Sequence, residues 1–260
     1  LRVGLVACAI ALGGYLGWQH NKTSKEDLLQ VRNFYGALHV QDQTVDGGKD
    51  EPEQPSRALI HGTIEHGAQM LTPDDRDEPT SYYIRTSGVG LAEEFLHHRV
   101  HMRVGVIGLG AGVVASYCRP EDVYRYYEIN PQVEPIARTQ FTFLNDCKGD
   151  LKVNLGDARL VLESQPPQNF DLLAVDAFSG DAIPVHLLTR EAVVEYFRHL
   201  KVDGILAVHV SNRYLDLLPI VANIADELHK KAIVVDDDGS DGKNPAANTW
   251  VLLSSTPEVF

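Results

Sequence analysis

Residues 3–18, "VGLVACAIALGGYLGW", form an unbroken apolar run that ends abruptly at the polar "QHNKTSKED". The run falls slightly short of the ~17–25 residues a membrane-spanning helix needs. Residues 1–20 are expected to be the end of such an apolar helix, with a signal peptide or a buried helix as alternatives. A chain that begins with Leu1 rather than Met reads as part of a longer protein. Lys22, Lys25 and Arg32 just beyond the run favour a cytoplasmic position for the domain on their C-terminal side, though Arg2 on the other flank dilutes that bias.

From residue 28 to residue 90 the pattern is strand-like. "NFYGALHV" is rich in aromatic and β-branched residues, "QDQTVDGGKDEPEQPS" reads as one long solvated loop, and "RALIHGTIEHGAQM" resumes the alternation. This predicts a small antiparallel β unit. From residue 91 to residue 260 the texture changes to helices alternating with continuous apolar runs. "GLAEEFLHH", "VVASYC", "QVEPIARTQF", "REAVVEYFRHL" and "LLPIVANIADEL" read as helices. "RVGVIGLGAG", "DVYRYYEINP", "LKVNLGDAR", "FDLLAVDAF", "GILAVHVSN", "KAIVVDD" and "NTWVLLSS" read as strands. Apolar strands separated by helices predict an α/β fold, a doubly wound and mostly parallel sheet covered on both faces. In such sheets ligands bind beyond the carboxyl ends of the strands.

The distinctive side chains collect at those ends. "VIGLGAG" puts Gly108, Gly110 and Gly112 between a strand and the next element, where glycines let the backbone approach a ligand. Glu128 ends the following strand and suits a pair of ribose hydroxyls. A dinucleotide fingerprint needs a small residue three positions after Gly110, but Val113 stands there, so the spacing fits an adenosyl sulfonium better. Asp157, in "GDA" with Ala158, closes the third strand within reach of an adenine amino group. Asp157 and Glu128 also suit plain helix capping. Asp176 closes the fourth strand, and Asp181 follows five residues later in a Gly/Ser loop.

Composition narrows the partners. Of 260 residues, 44% are hydrophobic and 23% charged, as in an ordinary folded protein. The net charge of -13 argues against nucleic-acid binding and suits a cationic small substrate. Cys8, Cys118 and Cys147 are widely spaced, which predicts unpaired cysteines in a reducing compartment and no zinc site. His61 and His66 lack metalloprotease spacing and read as structural or surface histidines. His186, Thr189, Ser211 and Asn212 fall on loops after the fourth and fifth strands, within reach of a substrate.

Taken together, "GLGAG", "YYEINP", "LGDAR", "FDLLAVDAFSGDAIPVHLLT" and "DGILAVHVSN" resemble the spermidine synthase (polyamine aminopropyltransferase) family. "HGTIEHGAQ" with "TSYYIR" resembles that family's N-terminal β segment. The set is most similar to bacterial spermidine-synthase-like proteins whose domain follows a membrane segment. The resemblance implies a class I methyltransferase-like Rossmann domain. It implies aminopropyl transfer from decarboxylated S-adenosylmethionine to an amine such as putrescine, with release of methylthioadenosine and no metal. Carried over, Glu128 would hold the ribose, Asp157 the adenine, and Asp176 would be the acid/base. Gln69 and Tyr82 or Tyr83 would line the site, and Asp181 would meet the substrate amine. The expected partners are a small amine, a membrane through the N-terminal segment, and a second copy of the chain. The expected location is the inner membrane with the catalytic domain in the cytoplasm, or the cytoplasm alone if residues 1–20 are no membrane helix.

Two departures matter. Ala111 stands where the family's glycine loop carries an Asp that grips the aminopropyl amine, and Asp176 and Asp181 are five apart where the family has Asp-x-x-Asp. A methyltransferase using intact S-adenosylmethionine stays open, as does a non-catalytic, membrane-tethered module that binds an adenosyl nucleoside or a polyamine.

Overall fold

The computed structural model describes residues 11–15, 27–45, 52–178, 184–212, 214–239 and 243–260. Residues 11–15 are helical, and the rest of the apolar run lies outside the described residues. Among the described residues, no helix is long and apolar enough to cross a membrane.

The N-terminal unit is a four-stranded antiparallel meander of β1 (Asp27–Asn33), β2 (Gly36–Val45), β3 (Gln54–His61) and β4 (Ile64–Met70). The long loop expected after β2 is shorter than its polar composition suggests. The ladder between β2 and β3 runs from Leu38 opposite His61 out to Val45 opposite Gln54, so "QDQTV" and "QPS" are strand. Along Gln41–Val45 the side chains are alternately half-buried and exposed, which tolerates polar residues, whereas Ser56 is buried.

The second sheet has seven strands. In chain order they are β6 (Arg103–Ile107), β7 (Val123–Glu128), β8 (Asp150–Leu155), β9 (Phe170–Val175), β10 (Leu200–His209), β11 (Lys231–Asp237) and β13 (Asn248–Ser254). A short parallel pair, β5 (Thr80–Ser81) with β12 (Lys243–Pro245), lies apart. The spatial order is β11-β13-β10-β9-β6-β7-β8. Strands β6 to β10 run parallel, and β13 inserts antiparallel between β10 and β11. The predicted doubly wound, mostly parallel sheet is therefore present beside an antiparallel N-terminal sheet. The order reverses between β6 and β9, which opens a crevice at their carboxyl ends.

Period-two alternation splits the core in two. Val104, Val106, Leu172, Ala174, Ile205 and Ala207 face one layer. Ile107, Leu173, Val175, Leu206 and Val208 face the other. The first layer is covered by α1 (Gly88–Leu96), α2 (Val133–Gln140) and α3 (Phe143–Asp146), the second by α4 (Ala158–Ser164), α5 (Arg190–His199) and α6 (Leu218–Glu227). Burying each valine, leucine or isoleucine among them contributes about 1.5–3 kcal/mol, and burial on both faces is why these strands read as unbroken apolar runs.

Three local expectations change. "VVASYC" is a 3-10 turn, Val113–Tyr117, rather than a helix. Its three β-branched or aromatic residues disfavour a longer helix. Helix α4 follows "GDA" directly, although its sequence did not stand out as helical. Cys118 and Cys147 are not isolated thiols but form a disulfide, because the 3-10 turn packs against α3 and brings their Cα atoms to 5.1 Å. That proximity is tertiary and leaves no spacing signal.

Candidate active site

Two acids at opposite ends of β9 have opposite fates. Asp171, at its amino end, is wholly buried and bonded by Arg99 at 2.7 Å, Lys201 at 2.8 Å and the Arg103 amide at 2.9 Å. Its lone pairs are used within the fold. Asp176, just past the carboxyl end, lines a cleft at the switch point.

Asp176 is 8% exposed and held on both oxygens. The Tyr83 hydroxyl donates to Oδ2, and His209 Nδ1 lies 2.7 Å from Oδ1. Register explains the second contact, since Val175 pairs with Val208 in the parallel ladder and the next residues lie side by side. His209 Nε2 is 2.9 Å from Ser211 Oγ, which accepts the Thr249 amide at 2.7 Å. The Asp176 carboxylate can only accept, which places the proton on Nδ1 and lets Nε2 accept the Ser211 O–H. The His209 ring stacks on Tyr82 and on Trp250, each at 4.7 Å between centroids. Burial, followed by the Asp176 charge, pushes both the Tyr82 and Tyr83 hydroxyls well up, so both stay protonated donors.

The glycine loop forms the cleft floor. Gly108 has φ +94°, and a Cβ there would come within 2.3 Å of the Asp176 carbonyl oxygen. Gly110 has φ +53°, and its Cβ would meet the His66 carbonyl at 2.3 Å. Only glycine allows both approaches. Gly112, at φ +86°, caps the 3-10 turn. Glu128 ends β7 with one oxygen accepting the Leu109 amide at 3.0 Å and the other the Asn130 amide at 2.7 Å. Burial raises its carboxyl, and those amides offset part of the rise. Asp157 caps α4 through Leu160 N at 3.0 Å, and its other oxygen lies 2.7 Å from His186 Nε2. Both Asp157 and Ala158 line the cleft, so capping and facing a ligand coexist in one residue.

Thus Asp176, Gly108, Gly110, Glu128, Asp157 and Ala158 share one cleft, with Tyr82 and Tyr83 packed behind Asp176. Gln69 is placed elsewhere. Its amide donates to Thr142 Oγ1 at 2.7 Å and to the Arg76 carbonyl at 2.9 Å, and its oxygen accepts the Thr142 amide at 3.1 Å. A carboxamide saturated in this way pins β4 to the start of α3. Asp181 lies outside the described residues. Of the loop candidates, His186 lines the cleft, Thr189 caps α5, Ser211 holds His209, and Asn212 Oδ1 accepts the Tyr214 and Leu215 amides. His61 and His66 line the cleft rather than the surface. Burial holds the His66 imidazole down to about 4, against a smaller upward pull from Asp176. The sequence reading missed His209, although a polar residue at the carboxyl end of a strand beside the switch point marks such positions.

No model of a known protein family matches the chain. A polyamine aminopropyltransferase from Vibrio vulnificus (strain CMCP6) is 34% identical over 132 residues, covering 49% of this chain and 42% of that protein. The chain thus aligns with less than half the length of this curated relative. A probable spermidine synthase from Corynebacterium glutamicum superposes with a TM-score of 0.65 at 17% identity, over 88% of this chain and 80% of that one. The Thermotoga maritima spermidine synthase gives 0.57 at 13% identity, over 90% and 76%. The chain shares the methyltransferase-like Rossmann fold of these spermidine synthases, and the resemblance read from its motifs has a curated counterpart.

Proposed function

We propose that this chain is a spermidine-synthase-like transferase that moves an aminopropyl group from decarboxylated S-adenosylmethionine to an amine such as putrescine. The observation that carries the reading is Asp176, a carboxylate held by Tyr83 and His209 in the cleft that Gly108, Gly110, Glu128 and Asp157 also line. Mere nucleoside binding has no use for a carboxylate positioned there. The curated relative's name supports the same chemistry.

In this reading Glu128 accepts the ribose hydroxyls and Asp157 faces the adenine amino group. The Gly108–Gly110 backbone lets the sulfonium lie against the loop. The acceptor amine arrives as an ammonium and is drawn to Asp176. Its nitrogen loses one proton to the carboxylate and forms a bond to the sulfur-bound carbon. The C–S bond breaks as that bond forms, and its electron pair stays on sulfur, giving neutral methylthioadenosine. Tyr83 and His209 hold the carboxylate in line with amine, carbon and sulfur, a positioning that can supply much of the rate. The nucleoside domain spans residues 91–260, and the β unit at 28–90 covers its reaction end. Residues 1–20 attach the chain to the inner membrane, and the Cys118–Cys147 disulfide removes the reducing-compartment argument for a cytoplasmic catalytic domain.

The test is incubation of the protein with decarboxylated or intact S-adenosylmethionine, with and without putrescine and longer polyamines. Methylthioadenosine release that needs an amine is the expected result. S-adenosylhomocysteine release from the intact donor would replace this reading with methyl transfer.

A further inference from the structure

Building on the aminopropyl-transfer reading, we infer that His66 is the ligand for the terminal ammonium of the transferred chain, and that it makes the cleft selective for a sulfonium donor without a carboxylate tail.

The need arises at Ala111. Its side chain is buried against the β unit and offers no acceptor, and its amide is used by the His66 carbonyl at 2.9 Å. Strand β4 therefore runs directly over the glycine loop. A Cβ on Gly110 would lie 3.6 Å from the His66 Cβ, so the imidazole leaves the strand beside the loop and lines the reaction end of the cleft with Asp176. His66 Nε2 is buried and has no hydrogen-bond partner among the described residues. Leaving such a group unpaired is costly, so a partner supplied by the substrate accounts for it.

Charge decides what that partner is. The described residues lining the cleft include the carboxylates Glu128, Asp157 and Asp176, but neither a lysine nor an arginine. A tail carboxylate at the reaction end would face Asp176 with no lysine or arginine to meet it. An alkylammonium finds the opposite, an anionic cleft with an imidazole beside the loop. Because burial keeps that imidazole neutral at physiological pH, one ring nitrogen has a lone pair that can accept an N–H of the ammonium. An uncharged acceptor serves here because the acidic cleft as a whole supplies the favourable potential for a cation.

The experiment is calorimetric titration of the wild-type protein, His66→Phe and His66→Gln. The ligands are methylthioadenosine, which has no ammonium, and decarboxylated and intact S-adenosylmethionine. For His66→Phe we expect decarboxylated donor binding to weaken at least tenfold while methylthioadenosine stays within threefold. His66→Gln, which keeps an acceptor oxygen, should retain most of the donor affinity. The wild type should prefer the decarboxylated donor over the intact one by at least tenfold, and His66→Phe should narrow that gap. Equal losses for donor and methylthioadenosine, an unchanged donor affinity in both variants, or no donor binding to the wild type would overturn the assignment. Because binding is read without turnover, a wild type that binds the donor yet transfers nothing rejects the proposed reaction and leaves the His66 comparison standing.

Discussion

Asp176 Oδ1 and His209 Nδ1 lie 2.7 Å apart at the carboxyl ends of adjacent parallel strands. The contact is set by backbone register and braced by Ser211 at Nε2, so the carboxylate receives an N–H from one side and the Tyr83 O–H from the other. If this pair orients the base, His209→Leu should lower kcat about 10²-fold with methylthioadenosine affinity unchanged within threefold. His209→Asn places an amide N–H near the Nδ1 position and should recover most of that loss. Ser211→Ala, which frees the ring to present either nitrogen, should give an intermediate loss and an altered pH–rate profile. Equal damage from Leu and Asn would mean that His209 only fills space between Tyr82 and Trp250.

Asp176→Asn keeps the shape but cannot take a proton from the amine. Turnover should fall by at least ~10³-fold while nucleoside binding persists. A variant with normal kcat would remove Asp176 from the chemistry altogether.

Glu128→Gln is not conservative at this site. Both carboxylate oxygens accept backbone amides, so the new NH2 must face either Leu109 N–H or Asn130 N–H. The variant should lose about 1–3 kcal/mol of stability and bind methylthioadenosine at least tenfold more weakly. Urea unfolding and calorimetry measure the two effects separately. Undiminished nucleoside affinity would contradict the ribose role.

These residues were legible to different degrees for physical reasons. Glu128, Asp157 and Asp176 were readable because a strand buried on both faces gives a continuous apolar run, and an acid at its end stands out. Gln69 reads two ways because a carboxamide serves equally well as a substrate ligand or as a strap, and its bonds to Thr142 and Arg76 depend on tertiary structure. His209 needed the pairing register, and His66 needed the approach of β4 to Gly110; both relations lie far apart in sequence. The Cys118–Cys147 bond and the 3-10 turn depend in the same way on packing between elements. The lengthened β2–β3 ribbon defeated composition because its side chains are polar while its backbone is fully paired.

Gly110→Ala tests the close approach itself. The new Cβ would sit 2.3 Å from the His66 carbonyl at a φ of +53°. The strand and loop must separate, which should cost about 2–3 kcal/mol and weaken donor binding. Urea midpoints alongside donor titration check both effects. Wild-type values in each would show that β4 is free to move off the loop.

Glu93 offers a stability test far from the reaction. It is buried in α1 with the Tyr124 hydroxyl donating to it at 3.1 Å, and burial pushes its carboxyl up to about 8. In the unfolded chain the same group titrates near 4.5. Between those values the folded state holds a proton that the unfolded state has released, so stability is full below about pH 4.5 and is lost as pH rises through 8. Glu93→Gln is neutral throughout and of the same shape, so it should match the wild type at pH 5 and exceed it at pH 8. A gain of about 2–4 kcal/mol is expected, allowing for partial relaxation of the full 1.36 kcal/mol per unit. Urea unfolding at the two pH values measures the difference. A gain that does not grow with pH would mean that Glu93 ionises in place, with its charge carried by the Tyr124 hydroxyl and the nearby Arg119.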